Sequence, residues 1–191
     1  AAGIKVGAGG QIRIDKHQRT SQPHIWALGD VSSDRLLKHV ANAEARTVAA
    51  NLLIDGGELV ATDHRYVPHA VFTEPQIAAV GATEEQLQEW GTPYVEFKQR
   101  YADVAFGWAL EDEGHFVKLL ADPRTWHLLG AHIIGPQAAT LIQPMIQAMS
   151  FGQTVQELAR GQYWIHPALT EVLENALLGL LKAPRPKELD A

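Results

Sequence analysis

HFVKLLADPRTWHLLGAHII, residues 115 to 134, decides the fold. Two apolar runs, His115–Ala121 and Leu128–Ile134, flank a turn at Asp122–Thr125. Outward from this pair, Tyr94–Tyr101 and Ala105–Leu110 read as two further strands, and the turn Glu111–Gly114 links the second to His115; together they predict an antiparallel meander. Upstream, Tyr66–Val71 and Gln76–Gly81 are strand-like, separated by the turn Phe72–Pro75. Thr83-Glu84-Glu85-Gln86 is a capping box that opens a helix ending at Gly91. Downstream come a helix over about Gln137–Ser150, a second capping box at Thr154-Val155-Gln156-Glu157, and an apolar helical stretch at 166–181. Strands and helices segregated in this way predict an α+β domain over 64–191, an antiparallel sheet with helices.

Residues 1–63 read differently. Ile4–Val6 and Gln11–Asp15 form a hairpin about Gly7-Ala8-Gly9-Gly10. This turn is no dinucleotide fingerprint, because Ile12 stands where G-x-G-x-x-G needs its third glycine and a strand follows instead of a helix. His24–Leu28 reads as a short buried strand that delivers Gly29-Asp30 at its carboxyl end. From Leu36 to about Leu53 a helix is expected, with Leu37, Val40, Ala41, Val48 and Leu52 along its apolar face. Ligands of open α/β sheets bind beyond strand carboxyl ends, near helix N-termini. Asp30 and the helix start are thus either a ligand rim or an ordinary surface acid. Asp55-Gly56-Gly57 breaks the helix, and 55–64 reads as a linker.

The composition narrows the function. A chain of 191 residues, 46% hydrophobic and 20% charged, can bury a sizeable core. A net charge of -6 without a basic block argues against nucleic acid or an anionic membrane as partner. No long apolar run and no signal pattern is present, so a soluble, cytoplasmic chain is expected. Zero cysteines excludes a disulfide, a thiol nucleophile or a thiolate metal site within this chain. The nine histidines form no helical i, i+4 pair, so no metal site is expected.

His166-Pro167 opens the last apolar stretch. Proline favours the first helical position, and the residue before it is pushed into extended conformation. Leu169, Val172, Leu173, Ala176, Leu177 and Leu180 recur at three- and four-residue steps, marking one buried face. Glu171 falls in the first turn, where a carboxylate complements the helix dipole. On local sequence alone, His166 and Glu171 are a helix start or a functional pair; the choice stays open.

Longer stretches carry a resemblance. Thr20-Ser21-Gln22-Pro23-His24-Ile25-Trp26-Ala27-Leu28-Gly29-Asp30-Val31, Leu36-Leu37-Lys38-His39-Val40-Ala41, Pro68 through Ala78, and His166-Pro167-Ala168-Leu169-Thr170-Glu171 resemble, in order, four signatures of the flavoprotein disulfide reductases. The resemblance covers essentially the whole chain. It is closest to the branch that reduces mycothiol disulfide, on the stretches Ala105–Asp112, Ser150–Gly152 and Ala159–Leu169. Ala168, Trp164 and Thr140 depart from the glutathione and lipoamide patterns.

What the resemblance implies can be stated residue by residue. Residues 1–63 would be the end of an α/β FAD-binding domain and 64–191 the interface, or dimerisation, domain. His166 would act as acid and base in thiol–disulfide exchange, with Glu171 as its orienting partner and a cis His166–Pro167 peptide. Gly29, Asp30, Lys38 and His39 would contact FAD, Asp30 through a ribityl hydroxyl. The enzyme would be an NADPH-dependent homodimer acting on mycothiol disulfide. The Rossmann motif, the redox cysteine pair and the nicotinamide domain of the family have no counterpart here. The chain is therefore expected to be a C-terminal portion, inactive alone and retaining no FAD. An inactive dimerisation module, or a glutathione, lipoamide or mercuric reductase relative, are the alternatives. The apolar row Leu141, Ile142, Met145 and Met149 suits either a subunit surface or plain core packing.

Overall fold

The computed structural model describes residues 2–185. The chain divides into two compact units, Ala1–His64 and Arg65–Ala191.

In the first unit, Val6 and Ile12 form an isolated antiparallel bridge, and the Gly7 N–H donates to the Gln11 carbonyl at 2.8 Å. The expected hairpin is thus reduced to a single pairing. His24–Leu28 is no strand: only Trp26 bridges, to Arg19, and the Ala27 N–H goes to the Gln18 carbonyl. A strand needs a ladder of neighbours, and here one loop closes locally on another. The segment passes into a 3-10 turn, Gly29–Val31, and then into helix α1, Lys38–Leu53.

The buried face of α1 keeps Val40 and Val48 of the expected apolar row and departs from it elsewhere. Leu52 is 60% exposed, whereas Val40, Glu44, Thr47, Val48 and Asn51 are buried. Glu44, Thr47 and Asn51 lie at three- and four-residue steps, so they line one polar stripe. Each meets an alternate residue of the segment expected to be a linker. Glu44 Oε1 is 3.0 Å from His64 Nε2, and Thr62 Oγ1 donates to Thr47 Oγ1 at 2.9 Å. The Asn51 amide brackets Val60, accepting its N–H at 2.7 Å and donating to its carbonyl at 2.9 Å. Buried polar groups are tolerated because each is matched.

The second unit is built on a five-stranded antiparallel sheet ordered β1-β2-β5-β4-β3. Its strands are β1 (His69–Val71), β2 (Ile77–Gly81), β3 (Val95–Arg100), β4 (Phe116–Ala121) and β5 (Leu128–Ile134). The last three form the meander, and β2 adds to β5 with Ala79 opposite His132. Alternation puts Ala78, Val80, Val117, Leu119, Ala131 and Ile133 on one face, all at most 1% exposed. The capping boxes at Thr83 and Thr154 open α2 (Glu84–Glu89) and α6 (Val155–Arg160) as read from the sequence.

Three expectations are corrected. Ala105–Leu110 is a short helix, α3 (Ala105–Ala109), not a strand. A Cβ on Gly107 would lie 1.9 Å from the Tyr101 carbonyl oxygen, so the bare glycine lets this turn of helix sit directly on the chain before it. The helix expected over 137–150 is two, α4 (Ala138–Leu141) and α5 (Gln143–Phe151); Pro144, without an N–H, sits in the first turn of the second. Leu141, Ile142, Met145 and Met149 are at most 5% exposed, so they pack the core and form no subunit surface.

The final helix, α7 (Glu171–Leu180), starts four residues after Pro167, so the proline precedes the helix and does not begin it. The six residues expected on its buried face are all at most 5% exposed. Helix α7 lies against β3 and β4, and a Cβ at Gly179 would come within 2.2 Å of the Phe97 ring. Alanine is the better helix former, yet Gly179→Ala should destabilise the chain by about 1–3 kcal/mol by overpacking this contact. Gly114→Ala, where nothing lies within 4 Å, should be close to neutral. Urea unfolding of the two variants checks both signs.

Candidate functional site

The loop 161–170 carries an exposed histidine on a rigid frame. At its start the Trp164 indole donates to the Ala159 carbonyl at 3.1 Å, and at its end Leu169 is buried. Between them the His166–Pro167 peptide is cis. His166 Nδ1 stands 2.8 Å from Glu171 Oε1, while Glu171 Oε2 accepts the Ala168 N–H at 3.2 Å. Both carboxylate oxygens are thereby committed, one to the ring and one to the backbone that carries it. Thr170, at the helix N-cap, makes no side-chain cap bond, and Glu171 is, with Glu174, one of two carboxylates in the first turn at the positive end of α7.

Exposure separates this pair from two others of the same chemistry. His115 Nδ1 lies 2.5 Å from Asp112 Oδ2, and Asp112 also accepts the His115 N–H; this pair closes the loop before β4, with the Asp112 side chain 3% exposed. His64 meets Glu44, which is buried in the first unit. The His166 side chain is 68% exposed against 27% for His115 and 33% for His64. With Nδ1 donating to the carboxylate, Nε2 of His166 faces outward and has no partner among the described residues. Such a ring can hand a proton to, or take one from, a group arriving from solvent. Tyr163 and Ile165, on either side, are also exposed. The hydrogen bond from His166 holds the Glu171 carboxyl below its usual value.

Gly29, Asp30, Lys38 and His39 lie in the first unit. Gly29 has φ +69°, which favours glycine, and a Cβ there would meet the Ala41 Cβ at 3.3 Å. Asp30 is exposed in the 3-10 turn and has no partner among the described residues. Lys38 and His39 are the first two residues of α1; the Lys38 ammonium donates to Asn42 on its own helix. Leu37 gives α1 no side-chain cap, and its first turn holds no acid. The Glu44 carboxylate, missed in the sequence, accepts the Gly29 N–H at 2.6 Å. Its one signal was an acid spaced four residues from Val40 and from Val48.

Among the described residues, no three His, Asp or Glu side chains gather to hold a metal ion, and no helix is long and apolar enough to cross a membrane.

Residues 67–177 match the family model of the pyridine nucleotide-disulphide oxidoreductase dimerisation domain, and residues 1–47 match a second model, pyridine nucleotide-disulphide oxidoreductase. The chain is 59% identical over 182 residues to a mycothione reductase of Mycobacterium tuberculosis, covering 94% of this chain and 39% of the relative. It is 35% identical over 180 residues to a dihydrolipoyl dehydrogenase of the same organism, covering 94% and 38%. Among solved structures, the HOCl-induced flavoprotein disulfide reductase RclA from Escherichia coli is similar with a TM-score of 0.84 and 28% identity, over 92% of this chain and 40% of that one. LpdA from Mycobacterium tuberculosis is similar with a TM-score of 0.85 and 28% identity, over 93% and 38%. The chain thus spans about two fifths of the length of these relatives.

The pairing of His166 with Glu171 has a titration signature. A depressed carboxyl contributes stability that is present above the ordinary glutamate range, near pH 4, and lost as pH falls through the lowered value. In His166→Ala the Glu171 carboxyl should titrate higher, toward the ordinary range. The stability difference between parent and variant should shrink as the solution is acidified below about pH 4. Carbon-13 NMR of the side-chain carboxyl and unfolding at several pH values measure the two effects.

Proposed function

The chain belongs to the pyridine nucleotide-disulphide oxidoreductases, and from that premise we propose that it is the C-terminal portion of an NADPH-dependent disulfide reductase of the mycothione reductase kind, with His166 and Glu171 as its acid–base pair. Residues 1–63 are the end of its FAD-binding domain and 64–191 its interface domain; the two family matches and the two compact units support this division. The observation that carries the reading is the 2.8 Å contact that leaves His166 Nε2 open to solvent.

Disulfide reduction needs a thiolate to attack one sulfur and a proton for the thiolate that departs. His166 Nε2 delivers that proton and retrieves one in the next exchange. Glu171 holds Nδ1–H, which fixes the nitrogen that faces the sulfur. This chain has no cysteine, so the attacking thiol comes from outside it. In a homodimer, that thiol is the partner subunit's, and the dimerisation-domain match supports such an assembly. The exposed Tyr163 and Ile165 beside His166 suit a surface that a partner covers.

FAD, when bound, supplies the two-electron relay between NADPH and the redox thiols. The residues present fit it. Asp30 offers a free carboxylate to a ribityl hydroxyl, Gly29 adopts the positive φ that presents it, and the start of α1 at Lys38, with no side-chain cap and no acid in its first turn, favours an electron-rich ring edge. A second reading applies to the 191 residues by themselves: a dimerisation module without activity, favoured by the absence of cysteine.

In a full-length enzyme carrying this sequence, His166→Ala should slow mycothiol disulfide reduction by about 10²–10⁴-fold, while flavin reduction by NADPH survives. Glu171→Gln should cost less, because it keeps a hydrogen-bonding group of similar shape. Stopped-flow measurement of both half-reactions checks this, and parental disulfide reduction in His166→Ala would refute the pair. The 191-residue chain should sediment as a dimer at micromolar concentration and purify without flavin; a monomer, or stoichiometric FAD, would count against the reading.

A further inference from the structure

We propose that Glu44 is a positioning residue for the flavin-contacting turn, holding Asp30 in place through the Gly29 N–H and tethered in turn by His64. The inference rests on the reading of Asp30 as the FAD contact.

Glu44 is 1% exposed and sits on the buried face of α1 between Val40 and Val48. An apolar residue would fill that face without desolvating a carboxylate. The reason for an acid lies in Gly29. At φ +69° this residue points its N–H inward, where no backbone acceptor meets it, and Glu44 Oε2 takes it at 2.6 Å. The Gly29 carbonyl is held as well, by the Ser32 and Ser33 N–H groups, both at 2.9 Å. The positive φ and the close Ala41 Cβ disfavour a side chain at Gly29, and the two hydrogen-bonded ends fix the peptides on either side of it. Asp30 leaves this clamped turn toward solvent. Its direction is thus set by Glu44, which never touches the ligand.

The other oxygen, Oε1, meets His64 Nε2 at 3.0 Å. Glu44 cannot swing away from Gly29 without abandoning His64, the last residue of the unit. It shares this stripe with Thr47, whose bond to Thr62 is similar in kind but lies one turn farther from Gly29. That neighbour is the natural control, because it supports the same segment without reaching the turn.

The test uses the full-length, FAD-loaded enzyme and measures the FAD dissociation constant, the visible circular dichroism of the flavin and the thermal midpoint. Replacing an ionised acceptor by a neutral one weakens a hydrogen bond to roughly half its strength, so Glu44→Gln should raise the FAD dissociation constant about five- to tenfold. It should also alter the flavin dichroism. Thr47→Val should lower the thermal midpoint yet leave both flavin readouts unchanged. Asp30→Ala reports on the underlying reading: if FAD binding ignores it, that reading falls and the inference with it. If Asp30→Ala weakens FAD but Glu44→Gln leaves affinity and dichroism at parental values, the inference alone is overturned. The same holds if Thr47→Val reproduces the effect of Glu44→Gln, since the role is then only structural. Should Glu44→Gln not fold, His64→Ala decides: a rise of about threefold in the dissociation constant with altered dichroism supports the tether, and parental values overturn it.

Discussion

A carboxylate that must hold two donors at once constrains much of the second unit. Glu171 reaches back from the first residue of α7 to His166 Nδ1 and to the Ala168 N–H, so ring, loop and helix share one group. The helix gives that group a fixed position because its other end is pinned in the core. Leu173, Ala176, Leu177 and Leu180 are all fully buried, and bare Gly179 lets the helix touch Phe97 on β3. The exposed, reactive side of the site therefore inherits its geometry from packing well removed from it. Preorganisation of this sort is what lets an exposed imidazole keep one tautomer and one orientation.

The part of the fold set by short-range pattern was legible in the sequence. The meander strands β3, β4 and β5, both capping boxes and the six buried positions of α7 all follow from period and local chemistry. The failures share a cause, which is that a distant neighbour decides. Ala105–Leu110 alternates like a strand, but Gly107 must lie on the Tyr101 carbonyl and the chain coils there. His24–Leu28 has the apolarity of a strand and lacks a ladder to join. Leu52 has the spacing of a core residue, yet at that end of α1 the covered residue is the polar Asn51. At the site, the contact between His166 and Glu171 was foreseen by likeness to a family and not from local spacing, which left the choice open. Glu44 was invisible because its partners lie 15 and 20 residues away.

Three histidine–carboxylate pairs among the described residues show how burial sorts identical chemistry into different work. Asp112 and His115 close a loop beside the buried Tyr101, whose hydroxyl is pushed up by desolvation and by the nearby Asp112 charge. Glu44 and His64 hold a turn and a chain segment. His166 alone of the three turns most of its ring outward, and so has a nitrogen to spend on something that is not protein.

The stripe on α1 also limits how the chain can vary in length. Val60, Thr62 and His64 meet Asn51, Thr47 and Glu44 at every second residue, as in a strand. Losing or gaining one residue between Val60 and His64 would turn the matched His64 side chain, and Thr62 if the change precedes it, to the opposite side and leave buried polar groups of α1 facing nothing. The preceding residues 54–58 are all exposed, and a loop of that kind changes length at small entropic cost. Insertions and deletions should therefore accumulate just after the helix and stop abruptly at Val60, a boundary written by hydrogen bonds in a region whose composition alone reads as featureless.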